Sequence, residues 1–103
     1  MDLTSQELKA KFPDAQTFFE AFNQSDYGKR AWDDALDYFL SDKEDDRDMA
    51  PRVLDDDMIR WAMSFVDNNS DVDVREAILL AGDYTLELTV QIKQGLIERS
   101  ENS

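Results

Sequence analysis

The chain has no cysteine and no histidine, only three glycines and two prolines. Without cysteine there is no disulfide framework, no thiolate chemistry and no cysteine zinc site, and the redox compartment is left open. Without histidine the commonest general base and the imidazole metal ligand are missing as well. Basic residues are scarce too: 11 Lys and Arg face 24 Asp and Glu, a formal charge of −13. Direct binding of nucleic acid is disfavoured, because phosphates are held by basic groups that release counterions. An anionic membrane surface is disfavoured for the same reason. No apolar run approaches the roughly 18 residues of a membrane-spanning helix. The opening "MDLTSQELKAKF" has no basic stretch followed by an apolar one, so a soluble, cytoplasmic protein is expected.

What is present suffices for a core. Of 103 residues, 42% are hydrophobic, including six phenylalanines, two tryptophans and three tyrosines, which is enough to bury one domain. A single acidic helical domain over 1–98 with a frayed tail at 99–103 is expected. Thr4 as N-cap with Glu7 makes a capping box, and Leu3 with Leu8 the accompanying staple, so a first helix runs to Phe12, where Pro13 ends it. Pro13 suits the first position of a second helix, with Ala15, Phe18, Phe19 and Phe22 on one side. The turn "NQSD" supplies Ser25 or Asp26 as the cap of a third helix. Its apolar side is Ala31, Trp32, Ala35, Leu36 and Phe39, opposite Arg30, Asp33, Asp34 and Asp37.

Residues 41–58, "SDKEDDRDMAPRVLDDDM", hold eight carboxylates against three basic groups. Ser41 to Asp48 reads as a loop too polar to pack, and Pro51 interrupts the residues after it. A fourth helix is expected from an Asp55 N-cap, with a Leu54–Ile59 staple, Asp56 and Asp57 in its first turn, and Met58, Ile59, Trp61, Ala62, Phe65 and Val66 inward. "DNNSD" closes it, and Asp73 with Glu76 reads as the capping box of the next helix. The C-terminal third fits two periods. Tyr84, Leu86, Leu88, Val90 and Ile92 alternate as in a strand over 84–92. A helix from Val74 to about Glu98 places Ile78, Ala81, Thr85, Leu88, Ile92 and Leu96 on one side. The helix is preferred because no other segment alternates and a strand would lack a partner. The expected fold is an all-α bundle of four to five helices, with the 84–92 strand as the alternative.

Three constellations bear on function. "DDALD" gathers Asp33, Asp34 and Asp37 within a helical turn and resembles the acidic metal motifs of all-helical Mg²⁺ enzymes such as the nucleotide pyrophosphohydrolases. That reading requires a second acidic pair and a phosphate-binding set, and only Asp45 and Asp48 lie nearby. "DNNSDVDVREAI" puts Asp67, Asn69 and Asp71 at the first, third and fifth places of an EF-hand-like loop. It has Val72 where the loop requires glycine and Ile78 where it requires glutamate. The third is the acidic surface itself: Asp33, Asp34 and Asp37, continued by Asp42, Glu44, Asp45, Asp46 and Asp48.

Carboxylates on successive helical turns stand about 5.4 Å apart, close to the phosphate spacing of a nucleic-acid strand. The expectation is therefore a non-enzymatic inhibitor without metal or cofactor, a nucleic-acid mimic that occupies the basic, nucleic-acid-binding surface of a partner protein, itself a monomer or homodimer. Phage anti-defence proteins of anti-restriction or anti-CRISPR type and the immunity partners of nuclease toxins act in this way. Tyr27, Tyr38 and Met49 are candidate anchors at its rim. The alternatives are an acidic chaperone or adaptor, the Mg²⁺ enzyme above, and acidic charge that serves solubility alone.

Overall fold

The capping box at Thr4 forms as written: its hydroxyl accepts from the Glu7 N–H and the Glu7 carboxylate accepts from the Thr4 N–H. It opens the first of six helices in the computed structural model, which describes residues 2–102. They are α1 (Ser5–Lys11), α2 (Ala15–Gln24), α3 (Asp26–Phe39), α4 (Glu44–Met63), α5 (Asp71–Glu87) and α6 (Thr89–Glu101). The described residues form no strand, only an isolated parallel bridge between Leu3 and Val66. No helix among them is long and apolar enough to cross a membrane.

The short helices follow their local signals. Pro13 lies just outside α2, whose cap is Asp14, with a carboxylate that accepts from the Thr17 N–H at 2.7 Å. Ala15, Phe18, Phe19 and Phe22 are all buried, as their spacing requires. Ser25 caps α3 by accepting from the Gly28 N–H at 2.9 Å while its hydroxyl donates to the Phe22 carbonyl at 2.6 Å, so one side chain closes the corner between two helices. Gly28 permits that corner, since a Cβ there would stand 1.7 Å from the Phe22 carbonyl oxygen.

The acidic stretch is the main departure. Ser41 to Asp48 is not a loop and Asp55 is not an N-cap. One helix, α4, runs from Glu44 to Met63 through Pro51. The sequence holds the reason: Ala50, Leu54, Met58 and Ala62 recur every fourth residue, and all four are buried. That continuous apolar line carries the helix across Pro51, which has no N–H to give to the preceding turn and would otherwise break it. Glu44, Asp45 and Asp46 then occupy the first turn of α4, where carboxylates suit the helix dipole. Asp55, Asp56 and Asp57 sit in its middle.

The C-terminal region is helical, as preferred, but it divides at Leu88, and that break makes six helices from five. Thr85 donates its hydroxyl proton to the Gly82 carbonyl, and the Thr89 hydroxyl lies within bonding distance of the Leu86 and Thr85 carbonyls. Hydroxyls that bond back into the preceding turn compete with the helical ladder and bend it. Ala81, Thr85, Leu88, Ile92 and Leu96 are buried as expected, whereas Ile78 is exposed. Asp73 is not the cap of α5. Ser70 is, and the Asp73 carboxylate instead accepts from the Ser5 N–H at 3.0 Å, tying α5 to the start of α1 and holding its own pKa down through that bond. At the far end, α6 continues past Glu98 to Glu101, with Arg99 stacked 3.6 Å from the Trp32 ring centroid.

An aromatic cluster of Phe12, Phe18, Phe22, Trp61, Phe65 and Tyr84 joins α1, α2, α4 and α5, with ring centroids 5.0–5.6 Å apart. The Tyr84 hydroxyl donates to the Phe12 carbonyl at 2.6 Å, which satisfies a buried acceptor at the α1–α2 turn.

Gly82 has no such steric reason to be glycine. A Cβ there would meet nothing within 4 Å, and no glycine among the described residues has a positive φ. Gly82→Ala is expected to raise stability by about 1 kcal/mol, the helix-interior difference between the two residues. Urea titration followed by circular dichroism measures it; an unchanged or lower midpoint would count against it.

Candidate functional site

α3 and α4 lie side by side and are joined by residues 40–43. Tyr27 near the start of α3 stands beside Asp57 and Arg60 in the second half of α4, so the pair is antiparallel. This topology brings the C-terminal half of α3 and the first turns of α4 to one end of the helix pair. Asp37, Asp42, Glu44, Asp45 and Asp48 are all exposed at that end. Asp46 is half-buried there and differs from the rest: its carboxylate accepts from the Ser41 hydroxyl at 2.9 Å. Arg47 turns back to donate to the Ser41 carbonyl at 3.0 Å and forms no salt bridge within 4.0 Å of a carboxylate among the described residues.

The three aspartates of "DDALD" are exposed but do not converge. Asp34 lines a shallow groove of about 280 Å³ between the helices, with Tyr27, Arg30, Ala31 and Asp57. Asp33 faces the other way, where its charge is felt by Arg99 of α6. Among the described residues no three acidic side chains gather at a point that would hold a metal ion, so the clustering expected for a Mg²⁺ centre is absent. The EF-hand-like stretch is likewise a turn followed by a helix start. The Asp67 carboxylate accepts from the Asn69 N–H at 2.9 Å, and Asp71 begins α5.

Two acids outside the expected set prove unusual. Burial raises the Asp57 pKa, opposed by Arg60 and reinforced by Asp34 and Asp56. Burial and the adjacent Asp56 push the half-buried Asp55 up to about 6. Sequence reasoning passes over both because an N-cap assignment accounts for them. The four-residue apolar line through Ala50, Leu54, Met58 and Ala62 is the signal that places them inside a helix. Tyr27, half-buried beside Asp57, has its hydroxyl pKa raised, first by burial and then by that carboxylate. Tyr38 and Met49 remain exposed, at 40% and 43%, and flank the acidic end as apolar contacts.

Neutralisation within the chain is slight. Among the described residues one salt bridge forms, Asp57 to Arg60 at 3.6 Å, between side chains one helical turn apart. The surplus charge therefore meets solvent.

Fold and site together define an acidic, all-α domain whose densest charge lies at one end of an antiparallel helix pair. Comparison with protein-family models, with curated proteins and with solved structures finds no match to this chain.

Proposed function

We propose that this protein is a non-enzymatic binding protein that occupies the basic, nucleic-acid-binding surface of another protein and so inhibits it. The observation that carries this reading is the near absence of internal neutralisation: a chain of charge −13 forms one salt bridge among its described residues. Concentrating like charge costs stability through self-repulsion, and a cationic partner relieves that cost. The spacing of the acids supports the same reading. Carboxylates on adjacent turns of α3 and α4 stand at about the interval of backbone phosphates, and the antiparallel pairing brings acids of both helices to the same end. In the groove lined by Tyr27, Arg30, Asp34 and Asp57, Asp57 already pairs with Arg60, so Asp34 is the carboxylate offered to an arginine of the partner, with the Tyr27 ring beside it for a cation–π contact. Exposed Tyr38 and Met49 add apolar area that charge alone does not supply.

The test is capture of the partner on immobilised protein, followed by competition. DNA or RNA is expected to displace the protein from its partner, and the affinity is expected to fall steeply between low and physiological salt. Replacing Asp33, Asp34, Asp37, Asp42, Glu44, Asp45 and Asp48 by their amides is expected to weaken binding by about a hundredfold or more, with the helical circular dichroism spectrum retained. A partner that holds protein and nucleic acid together, or an affinity indifferent to salt, refutes the proposal.

A further inference from the structure

The second surface of interest lies away from the acidic end. Ser5, Gln6 and Lys9 of α1 and Glu76, Leu79, Leu80 and Asp83 of α5 line a groove of about 570 Å³. Of these, Leu79 belongs to an exposed apolar row of α5 that extends beyond the groove at both ends. Val72, Leu79 and Leu86 recur every seventh residue, and they are 69%, 54% and 75% exposed. Along a helix that repeat is about 10.5 Å, so the three side chains form a ridge about 21 Å long. They stand opposite the buried Ala77, Ala81 and Leu88, so nothing in the core accounts for them. Exposed apolar residues scattered singly need no explanation, but a seven-residue row beside a groove offers one of the two apolar rows by which helices pair, and Leu80 in the groove adds to it.

Charge identifies the occupant. Glu76 and Asp83 lie on the groove with Leu79 and Leu80 between them, and neither forms an ion pair with another described residue. The cation in the lining, Lys9, is turned to Tyr84, within 3.4 Å of its hydroxyl and 5.4 Å from its ring centroid. A second copy of the chain would bring a further −13 to the contact. A basic segment sets Glu76 and Asp83 against ammonium or guanidinium groups. We infer that the α1–α5 groove receives a basic amphipathic α-helix of a partner protein, with its apolar stripe on Val72, Leu79, Leu80 and Leu86 and its basic residues on Glu76 and Asp83. The inference concerns a surface separate from the α3–α4 acids and stands whether or not the partner binds nucleic acid.

The test uses the full chain and a synthetic probe: an amidated 18-residue peptide of leucine and lysine with leucines at heptad spacing. A peptide of the same composition in scrambled, non-amphipathic order is the control, and both are read by fluorescence anisotropy at physiological salt. The heptad peptide is expected to bind about tenfold or more tightly than the scrambled one. Leu79→Ser combined with Leu86→Ser, both at exposed positions, is expected to remove about tenfold of that affinity. Glu98→Gln combined with Glu101→Gln on α6, exposed and outside both acidic surfaces, is expected to change it less than about threefold. Amide shifts in a titration monitored by NMR are expected to map to 5–9 and 72–87. Equal binding of the two peptides, or equal loss from the α6 variant, overturns the inference in favour of undirected charge attraction. Concentration-dependent dimers that Leu79→Ser dissolves overturn it in favour of a second copy.

Discussion

Gly28→Ala is expected to be the most damaging conservative substitution in the chain, lowering stability by about 3 kcal/mol or more. The new Cβ would lie 1.7 Å from the Phe22 carbonyl oxygen and 2.6 Å from its carbon. Both are backbone atoms, so no rotamer change relieves the overlap and the α2–α3 corner has to open. Opening it loosens Phe22, which is fully buried against Trp61, and separates the Ser25 hydroxyl from the Gly28 N–H and the Phe22 carbonyl that it now joins. For a domain of this size each kcal/mol moves the melting temperature by about 4–8 °C, so a fall of about 12 °C or more is expected. A melting temperature within about 2 °C of the parent would show that the corner is not fixed in this way. The effect is steric rather than conformational, because Gly28 has no positive φ. It therefore contrasts with Gly82→Ala, where the added methyl meets open space.

Asp55→Asn is expected to act in the opposite direction and only above acid pH. The folded protein holds the Asp55 proton up to about pH 6, whereas the group's ordinary value is 3.8. Between those values the folded state binds more protons than the unfolded one, so stability falls as the pH rises through that window and stays lowered above it. The full displacement corresponds to about 3 kcal/mol; solvent screening at a half-exposed position reduces this to about 1 kcal/mol. Asparagine keeps the shape and removes the charge. At pH 7 the variant should melt about 4–8 °C above the parent, and the two curves should converge below about pH 4. A difference that persists undiminished at pH 3.5 would show that the gain came from something other than Asp55 ionisation.

A carboxylate kept half-buried in mid-helix at a cost in stability is informative about selection. The first turn of α4 has a sufficient local explanation for Glu44, Asp45 and Asp46 in the helix dipole. Asp57 has its ion pair with Arg60, and Asp55 has none. Sequence reasoning assigns these explanations the other way round, with the caps at Asp55 and the unexplained acids at Asp42 to Asp48. The inversion sharpens the proposed interface. Asp57 joins the expected Asp34 and Tyr27 on geometric grounds, while Asp46 is partly engaged by Ser41.

The helical class, the capping box at Thr4 and the buried faces of the short helices were legible in the chain itself. Their signals are local: a cap and its partner lie three residues apart, and a buried face repeats at three and four. The surplus of acids, the lack of histidine and cysteine, and the chemical classes these exclude were also matters of composition. Packing settled the rest. Pro51 is tolerated because Ala50, Leu54, Met58 and Ala62 are buried against neighbouring helices, a gain no local propensity registers. The break at Leu88 combines the local bonds of the Thr85 and Thr89 hydroxyls with the burial of Leu88, Ile92 and Leu96 in the core, and only the burial is tertiary. Above all, the pairing of Asp34 with Asp57 and the separation of Asp33 toward Arg99 follow from the antiparallel docking of α3 on α4 and of α6 on α3. Charges distant along the chain become neighbours only through such docking, so the shape of this acidic surface is a property of the tertiary fold.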